Sequence, residues 1–291
     1  MDACHIQNLF MRVDLHTRGA EMLRFRTVGG LELLWEGDPA FWPRHAPHLF
    51  PVVGSTVDDQ IMVEGKAYPM PRHGFARDMT WTLVRLTRED CTFVLKDSEA
   101  TRKHYPYAFE LRITYKLDDW ALHVDYQLIN TGEVPLPASL GAHPGLRWPM
   151  MPGHAKEDYL LLFEHTEEAP IRRLDEKGLL RPDVTPTPVK GSQLPLNDDL
   201  FRDDVLIFDS LKSRRLRLVG PTRPSLEFGW EGFSHLGLWS RPGANFICIE
   251  PWAGVSSPQG YTGDITRKPG IHLVFPGSRH HYRYSIRLHP E

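Results

Sequence analysis

An all-β chain is predicted by three observations. Period-two apolar patterns recur along most of the length, no segment carries a helical pattern of three turns, and 25 prolines with 23 glycines punctuate the 291 residues. Proline ends helices and is confined to strand edges and turns, so this much of it argues against an all-α protein. Aromatic residues, 11% of the chain, suit half-buried strand surfaces and can also face a sugar ring.

The elements follow in order. Residues 1–11 have a spacing that fits a helix or a strand equally. Residues 21–27 alternate polar and apolar, Val28-Gly29-Gly30 reads as a turn, and residues 31–35 read as the return strand of a hairpin. Residues 91–95, 110–117 and 121–128 alternate in the same way, with Asp118-Asp119 and Asn130-Thr131-Gly132 as turns. Further strands are expected at 159–163, 215–219, 226–228, 246–249, 271–275 and 282–288. The Pro-, Gly- and Asp-rich residues 170–200 read as a surface excursion, because strand patterning resumes unchanged after them, and 181–204 is expected to be solvated loop. No fixed-period repeat suggests a propeller. Residues 1–291 are thus expected to form a single domain, a double-sheet sandwich or a large barrel.

The formal charge is −3, from 34 basic and 37 acidic residues that are well interspersed. No basic face is concentrated enough for duplex nucleic acid or an anionic membrane, so neither is expected as a partner. Apolar runs such as Tyr159-Leu-Leu-Leu-Phe163 are far too short to span a bilayer. Cys4, Cys91 and Cys248 are odd in number and far apart, which suits reduced thiols in a cytoplasmic protein and neither a disulfide framework nor a zinc ribbon. Asp2 stands where a signal peptide would carry basic residues, so no such leader is expected.

Three segments carry chemistry: Arg72-His-Gly-Phe-Ala-Arg-Asp78, Ser139-Leu-Gly-Ala-His-Pro-Gly145 and Cys248-Ile-Glu-Pro-Trp252. Each sets an ionisable side chain against glycine or proline, where a strand end can aim it into a cleft. A carboxylate (Glu250) with two imidazoles (His73, His143) is a usual set for acid–base work near neutral pH. There is no Gly-x-Ser-x-Gly elbow, Gly-x-Gly-x-x-Gly loop or P-loop, so proton transfer without a cofactor is the expectation.

Gly19-Ala-Glu21, Leu34-Trp-Glu-Gly-Asp-Pro39, Trp42, Ala46-Pro47 with Leu49-Phe-Pro51 and Gly54, Tyr68-Pro-Met70, His73 to Asp78, Gly141-Ala-His-Pro-Gly145 and Ile249-Glu-Pro-Trp-Ala-Gly254 occur in one order. Lys268-Pro-Gly-Ile271, Phe275-Pro-Gly277 and Tyr282-Arg-Tyr-Ser-Ile286 follow them. This ordered set, spread over about residues 19–288, resembles the aldose 1-epimerase (galactose mutarotase) superfamily and in particular its LacX-like bacterial branch. The resemblance implies a large antiparallel β-sandwich, the galactose mutarotase-like supersandwich, with a sugar cleft on one concave face. It also implies that Glu250 is the general base at the C1 hydroxyl, His143 the general acid at the ring oxygen, and His73 a second histidine near the reacting centre. Arg77, with Arg44 beside it, resembles a sugar- or phosphate-contacting arginine. Asp204 resembles an aspartate that binds sugar hydroxyls, with Asp203 and Asp209 as competitors. Trp252 or Phe75 would supply an aromatic face, and Pro144-Gly-Leu146 departs from the aromatic that many relatives carry there. The implied partner is a hexose or hexose phosphate, and the implied localisation is cytoplasmic.

Each residue also has a structural reading. Arg77 can simply pair with Asp78, Trp252 can be packing alone, and Glu250 outside its motif would suit a salt-bridged core. His45 with His48, and His280 with His281, lie close in sequence but lack a carboxylate or cysteine at a defined spacing, so no metal is expected. The remaining histidines read as surface or structural.

Overall fold

The computed structural model describes residues 2–290. Strands make up 47% of the chain against 7% helix, and the sheets are antiparallel, so turns and strand ladders build the molecule. The one α-helix among the described residues is the single turn Glu99–Arg102, capped reciprocally by Ser98 and Thr101.

Nine strands form the larger sheet, in the order Gln193–Pro195, Leu160–Phe163, Arg215–Val219, Ser225–Glu231, Arg279–His289, Ala121–Asn130, Phe109–Asp118, Asp90–Lys96 and Thr82–Leu86. A second sheet of eight runs Leu180–Thr185, Ile171–Leu174, Leu206–Phe208, His235–Trp239, Phe246–Ala253, Leu140–Ala142 and His48–Leu49, with Gly145–Arg147 also paired to Phe246–Ala253. A three-stranded sheet, Ala3–Gln7, Met11–His16 and Met22–Thr27, precedes them. The apolar side chains of all three sheets meet in one core: Val13 and Phe25 from the small sheet, Tyr126, Phe228 and Ile286 from the nine-stranded sheet, Leu236, Ile247 and Ile249 from the eight-stranded sheet. The alternation read from 110–117 and 121–128 supplies that apolar face, and the two strands pair through the turn at Asp118 and Asp119, whose φ is +49°.

Three local expectations change. Residues 3–7 and 11–16 are strands, which settles the ambiguous start. Residues 31–35 do not complete a hairpin strand. Leu33, Leu34 and Trp35 are buried in succession, so no alternation leaves one face to solvent; the segment makes only isolated bridges, Arg26 to Glu32 and Leu34 to Leu146. Nor is 181–204 a solvated loop. It contributes an edge strand to each large sheet, and Leu194, Leu196 and Phe201 are buried.

Behind the eight-stranded sheet lies a polar island. His48, fully buried, is 2.8 Å from the Tyr126 hydroxyl through Nδ1 and 2.7 Å from the Tyr115 hydroxyl through Nε2, and the Tyr115 hydroxyl donates to the Ala20 carbonyl (2.7 Å). A buried polar group keeps its place only while its partners are satisfied. His48 pairs with Ala142, the residue before His143, so this network anchors the strand that leads into the site. Burial holds the His48 imidazole down to about 4. Such a ring binds its proton more readily when unfolded, so its contribution to stability is complete above pH 6.5 and is lost as pH falls toward 4, by about 3 kcal/mol. Replacing His48 with Gln removes this titration. Urea unfolding at pH 7 and pH 4.5 is expected to show a smaller acid-induced loss for the variant than for the native chain.

Candidate active site

Phe246–Ala253 is buried along its whole length, and its period of two divides its side chains between two environments. Ile247, Ile249 and Ala253 join the main core, whereas Phe246, Cys248 and Trp252 belong to apolar clusters on the other side. Glu250 shares the parity of the second set, so its carboxyl is carried to the outer face of the eight-stranded sheet. Gly237 lies directly opposite Glu250 and Trp239 opposite Cys248. A Cβ on Gly237 would meet the Trp252 indole at 2.7 Å, and one on Gly141 would meet it at 2.8 Å. Two glycines on flanking strands thus let the indole lie flat against the sheet beside Glu250.

His143 arrives from the neighbouring strand end, between Leu140–Ala142 and Gly145–Arg147. Its Nε2 lies 3.2 Å from Glu250 Oε2. Trp42 stacks on the imidazole at 4.8 Å and 26°, while Trp239 (5.7 Å, 82°) and His73 (5.8 Å, 81°) meet it edge-on. Trp42 also fills the space over Gly145, where a Cβ would come within 3.0 Å of its ring. The wall left without an aromatic at Pro144-Gly-Leu146 is therefore covered by Trp42 and Trp239.

His73 is brought in by a tight exchange between two loops. Its backbone N–H donates to the Gly54 carbonyl (2.8 Å), and the Gly54 N–H donates to its Nδ1 (3.1 Å). Gly74 follows at φ +71°, where a Cβ would stand 2.1 Å from the Phe50 carbonyl oxygen, so glycine is required there. Arg72 Nε lies 3.3 Å from His73 Nε2. Each ring nitrogen therefore faces an N–H donor. A neutral ring can accept from one of these donors and a doubly protonated ring from neither, so the contacts favour the neutral form, and burial pushes its pKa down in the same direction.

These groups line a cleft of about 560 Å³. Glu250, His143, His73, Arg77, Asp204 and Trp252 all line it; Arg44 does not. Arg44 is turned onto Asp78 (2.9 Å) and acts on the cleft only through its field. Arg77 donates to the Arg72 carbonyl (2.7 Å), while its buried Nε has no hydrogen-bond partner and lies 3.7 Å from Asp78. Burial and the Arg44 charge hold its pKa down to about 10. Asp204 lines the cleft 3.9 Å from Arg72, whereas Asp203 borders an adjoining groove and Asp209 pairs with Arg172. Phe75 is no cleft platform: it is buried against Phe50, Tyr105 and Phe109. Sequence reasoning assigned no roles to Trp42, Trp239, Arg202 and Arg241, which also line the cleft. Trp42 stood inside a quoted motif, whereas Trp239 is placed by its pairing with Cys248 and Arg202 and Arg241 lie in turns beside the cleft.

Burial pushes the Glu250 carboxyl well up, with Asp204 adding to the effect and Arg72 and the Trp252 indole opposing it. Burial first, then the charges of Arg77 and Arg72, hold His143 down to about 3. Glu250 Oε2 and His143 Nδ1 are buried without hydrogen-bond partners. Two proton carriers with spare valences thus face a polar cleft, an arrangement suited to acid–base chemistry on a bound hydroxylic compound. The ligand atoms of His143, Cys248 and Glu250 also lie within 4.8 Å of one another, the one such cluster able to hold a metal ion among the described residues.

The family model described as aldose 1-epimerase matches residues 2–257. The chain belongs to the aldose 1-epimerase family. It is therefore an isomerase of the mutarotase kind, and its family acts on sugars. It is 32% identical to the plasmid-encoded protein LacX of Lactococcus lactis subsp. lactis, over 97% of this chain and 98% of that one. A putative glucose-6-phosphate 1-epimerase of Salmonella typhimurium is 27% identical over 40% of each chain. Among solved structures, a galactose mutarotase related enzyme from Lactobacillus acidophilus superposes with a TM-score of 0.91 at 31% identity, covering 99% of this chain and 97% of that one. A galactose mutarotase-like protein from Lactobacillus casei gives 0.91 at 30%, covering 99% and 100%. These likenesses bear out the supersandwich expected from the ordered motifs. No helix among the described residues is long and apolar enough to cross a membrane.

Trp42→Ala would open His143 to water. Its imidazole pKa is then expected to rise from about 3 toward the ordinary 6.5, which an NMR titration of the ring protons measures directly.

Proposed function

We propose that this aldose 1-epimerase interconverts the α and β anomers of a hexose by opening and reclosing the ring, with Glu250 as base at the C1 hydroxyl and His143 as acid at the ring oxygen. The observation that carries this reading is the buried His143–Glu250 pair, 3.2 Å apart on the cleft floor. The two oxygens that exchange protons in ring opening are bonded to one carbon, so the base and the acid must stand side by side. Once the ring is open, rotation about C1–C2 presents the other carbonyl face, and reclosure with the roles reversed yields the other anomer. His73, held neutral, serves as a hydrogen-bonding partner rather than a proton source. Arg77 and Asp204 supply donors and acceptors for sugar hydroxyls, and Trp42 and Trp239 border the apolar edge of the ring. These proton transfers require no metal or cofactor.

A phosphorylated or acidic sugar is the second reading. Arg72, Arg77, Arg202 and Arg241 line the cleft against the carboxylates of Asp204 and Glu250, and the planar arginine fork suits phosphate. A catalytically silent sugar-binding protein on the same fold is the alternative from another class; the complete acid–base pair argues against it.

NMR magnetisation exchange between anomers of glucose, galactose and their 6-phosphates tests the reading. Exchange well above the buffer rate is expected; binding without acceleration of any of them would point to the silent alternative or to a sugar outside this set. Glu250→Gln is expected to abolish exchange while sugar binding persists. His143→Ala should slow it by roughly 10²–10⁴-fold, the usual span for a lost general acid. Arg77→Ala should weaken a 6-phosphate more than its parent sugar, and equal weakening of both would remove phosphate from the assignment.

A further inference from the structure

Cys248 takes no part in the proton transfers, yet it stands two residues before Glu250 on the same side of the strand. Its thiol sulfur, one His143 ring nitrogen and a Glu250 oxygen all lie within 4.8 Å of one another. The His143 Nε2–Glu250 Oε2 separation is 3.2 Å. A tetrahedral zinc ion, with bonds of about 2.0–2.3 Å to nitrogen, oxygen and sulfur, spans neighbouring donors by roughly 3.2–3.7 Å. One edge of that tetrahedron is therefore already set, and rotation of the Cys248 side chain would close the others. Glu250 Oε2, the oxygen on that edge, has no hydrogen-bond partner in a side chain that is almost fully buried. A sulfur, an imidazole and a carboxylate form a donor set that favours a borderline-soft cation over magnesium or calcium.

We propose that His143, Cys248 and Glu250 form a three-ligand site for Zn²⁺ or a similar thiophilic divalent cation, and that its occupation blocks the isomerase. The cleft supplies the fourth position, open to water or to a sugar oxygen. Binding forms the metal–sulfur bond as the thiol releases its proton to solvent, and the lone pairs that would accept or deliver the substrate's protons are then held by the ion. The ion is thus an inhibitor at this site, not a cofactor. The blocking half of the proposal rests on the acid–base reading of the pair, whereas the binding half does not.

The binding half is tested on the purified full-length chain by titration with Co²⁺ and by competition between Zn²⁺ and a chromophoric chelator. One equivalent should bind and give a thiolate-to-cobalt charge-transfer band. The band should vanish in Cys248→Ser and in His143→Ala and persist in Cys4→Ser. In activity, Zn²⁺ should inhibit the native chain reversibly on chelation, and Cys248→Ser should raise the half-inhibiting concentration by at least 10- to 100-fold, the span lost even when an outer-shell metal partner is removed. Absence of the band in the native chain overturns the proposal, a result that needs no variant to fold. Equal inhibition of native and Cys248→Ser chains also overturns it, because the inhibiting ion is then not held through Cys248. A chain that binds cobalt through Cys248 yet accelerates no sugar would retain the metal site and lose the acid–base reading.

Discussion

The strand Phe246–Ala253 is buried on both faces, and Glu250 sits in its middle with almost no contact with water. A carboxylate there has lost its hydration, and the surrounding backbone amides are engaged in strand pairing with His235–Trp239. Much of the cleft serves to make that position tolerable. Gly237 and Gly141 admit the Trp252 indole beside the carboxyl, Arg72 places a positive charge within reach, and His143 offers a nitrogen at 3.2 Å. Strand pairing thus fixes the position of the reactive group, and the cleft residues adjust its chemistry.

Proton accounting follows from the same burial. In the empty cleft, desolvation favours a protonated Glu250 and a neutral His143. The tautomer with carboxylate and imidazolium contains the same number of protons, so one transfer over a short distance interconverts the two. In the proposed cycle, ring opening begins from the charged tautomer and ends at the neutral one. The state that burial favours is therefore the state that accompanies the open-chain sugar. In that cycle, low polarity at the pair would assist opening, while sugar hydroxyls would have to stabilise the charged tautomer that precedes it.

The sequence shows this architecture unevenly. Alternation in 110–117 and 121–128 was plain because those strands bury one face and show the other. It failed at 31–35, where three successive side chains are buried, and at 181–204, where the edge strands are short and rich in proline and aspartate. Glu250, His143, His73 and Arg77 were visible because they sit in ordered motifs that also carry glycine or proline. Trp239 and Arg241 were not, since Trp239 is placed by its pairing with Cys248 and Arg241 by the turn that follows it, and that Arg44 pairs with Asp78 instead of lining the cleft is a matter of side-chain direction. Period-two reading gives the face of a strand but not its neighbour.

The arginines connect specificity to the reacting pair. Arg72 both lowers Glu250 and helps to hold His73 neutral, and Arg77 with Arg72 keeps His143 from charging in the empty cleft. An anionic substituent drawn to these guanidinium groups would offset their charge. The penalty on an imidazolium at His143 would then fall, and the acid would become easier to generate when such a sugar is bound. A neutral sugar leaves that field uncompensated and must stabilise the charged tautomer through hydroxyl dipoles alone. Arg72 and Arg77 would therefore bear on rate as well as on affinity, because the charge that recognises such a substrate would also set the protonation of the groups that act on it.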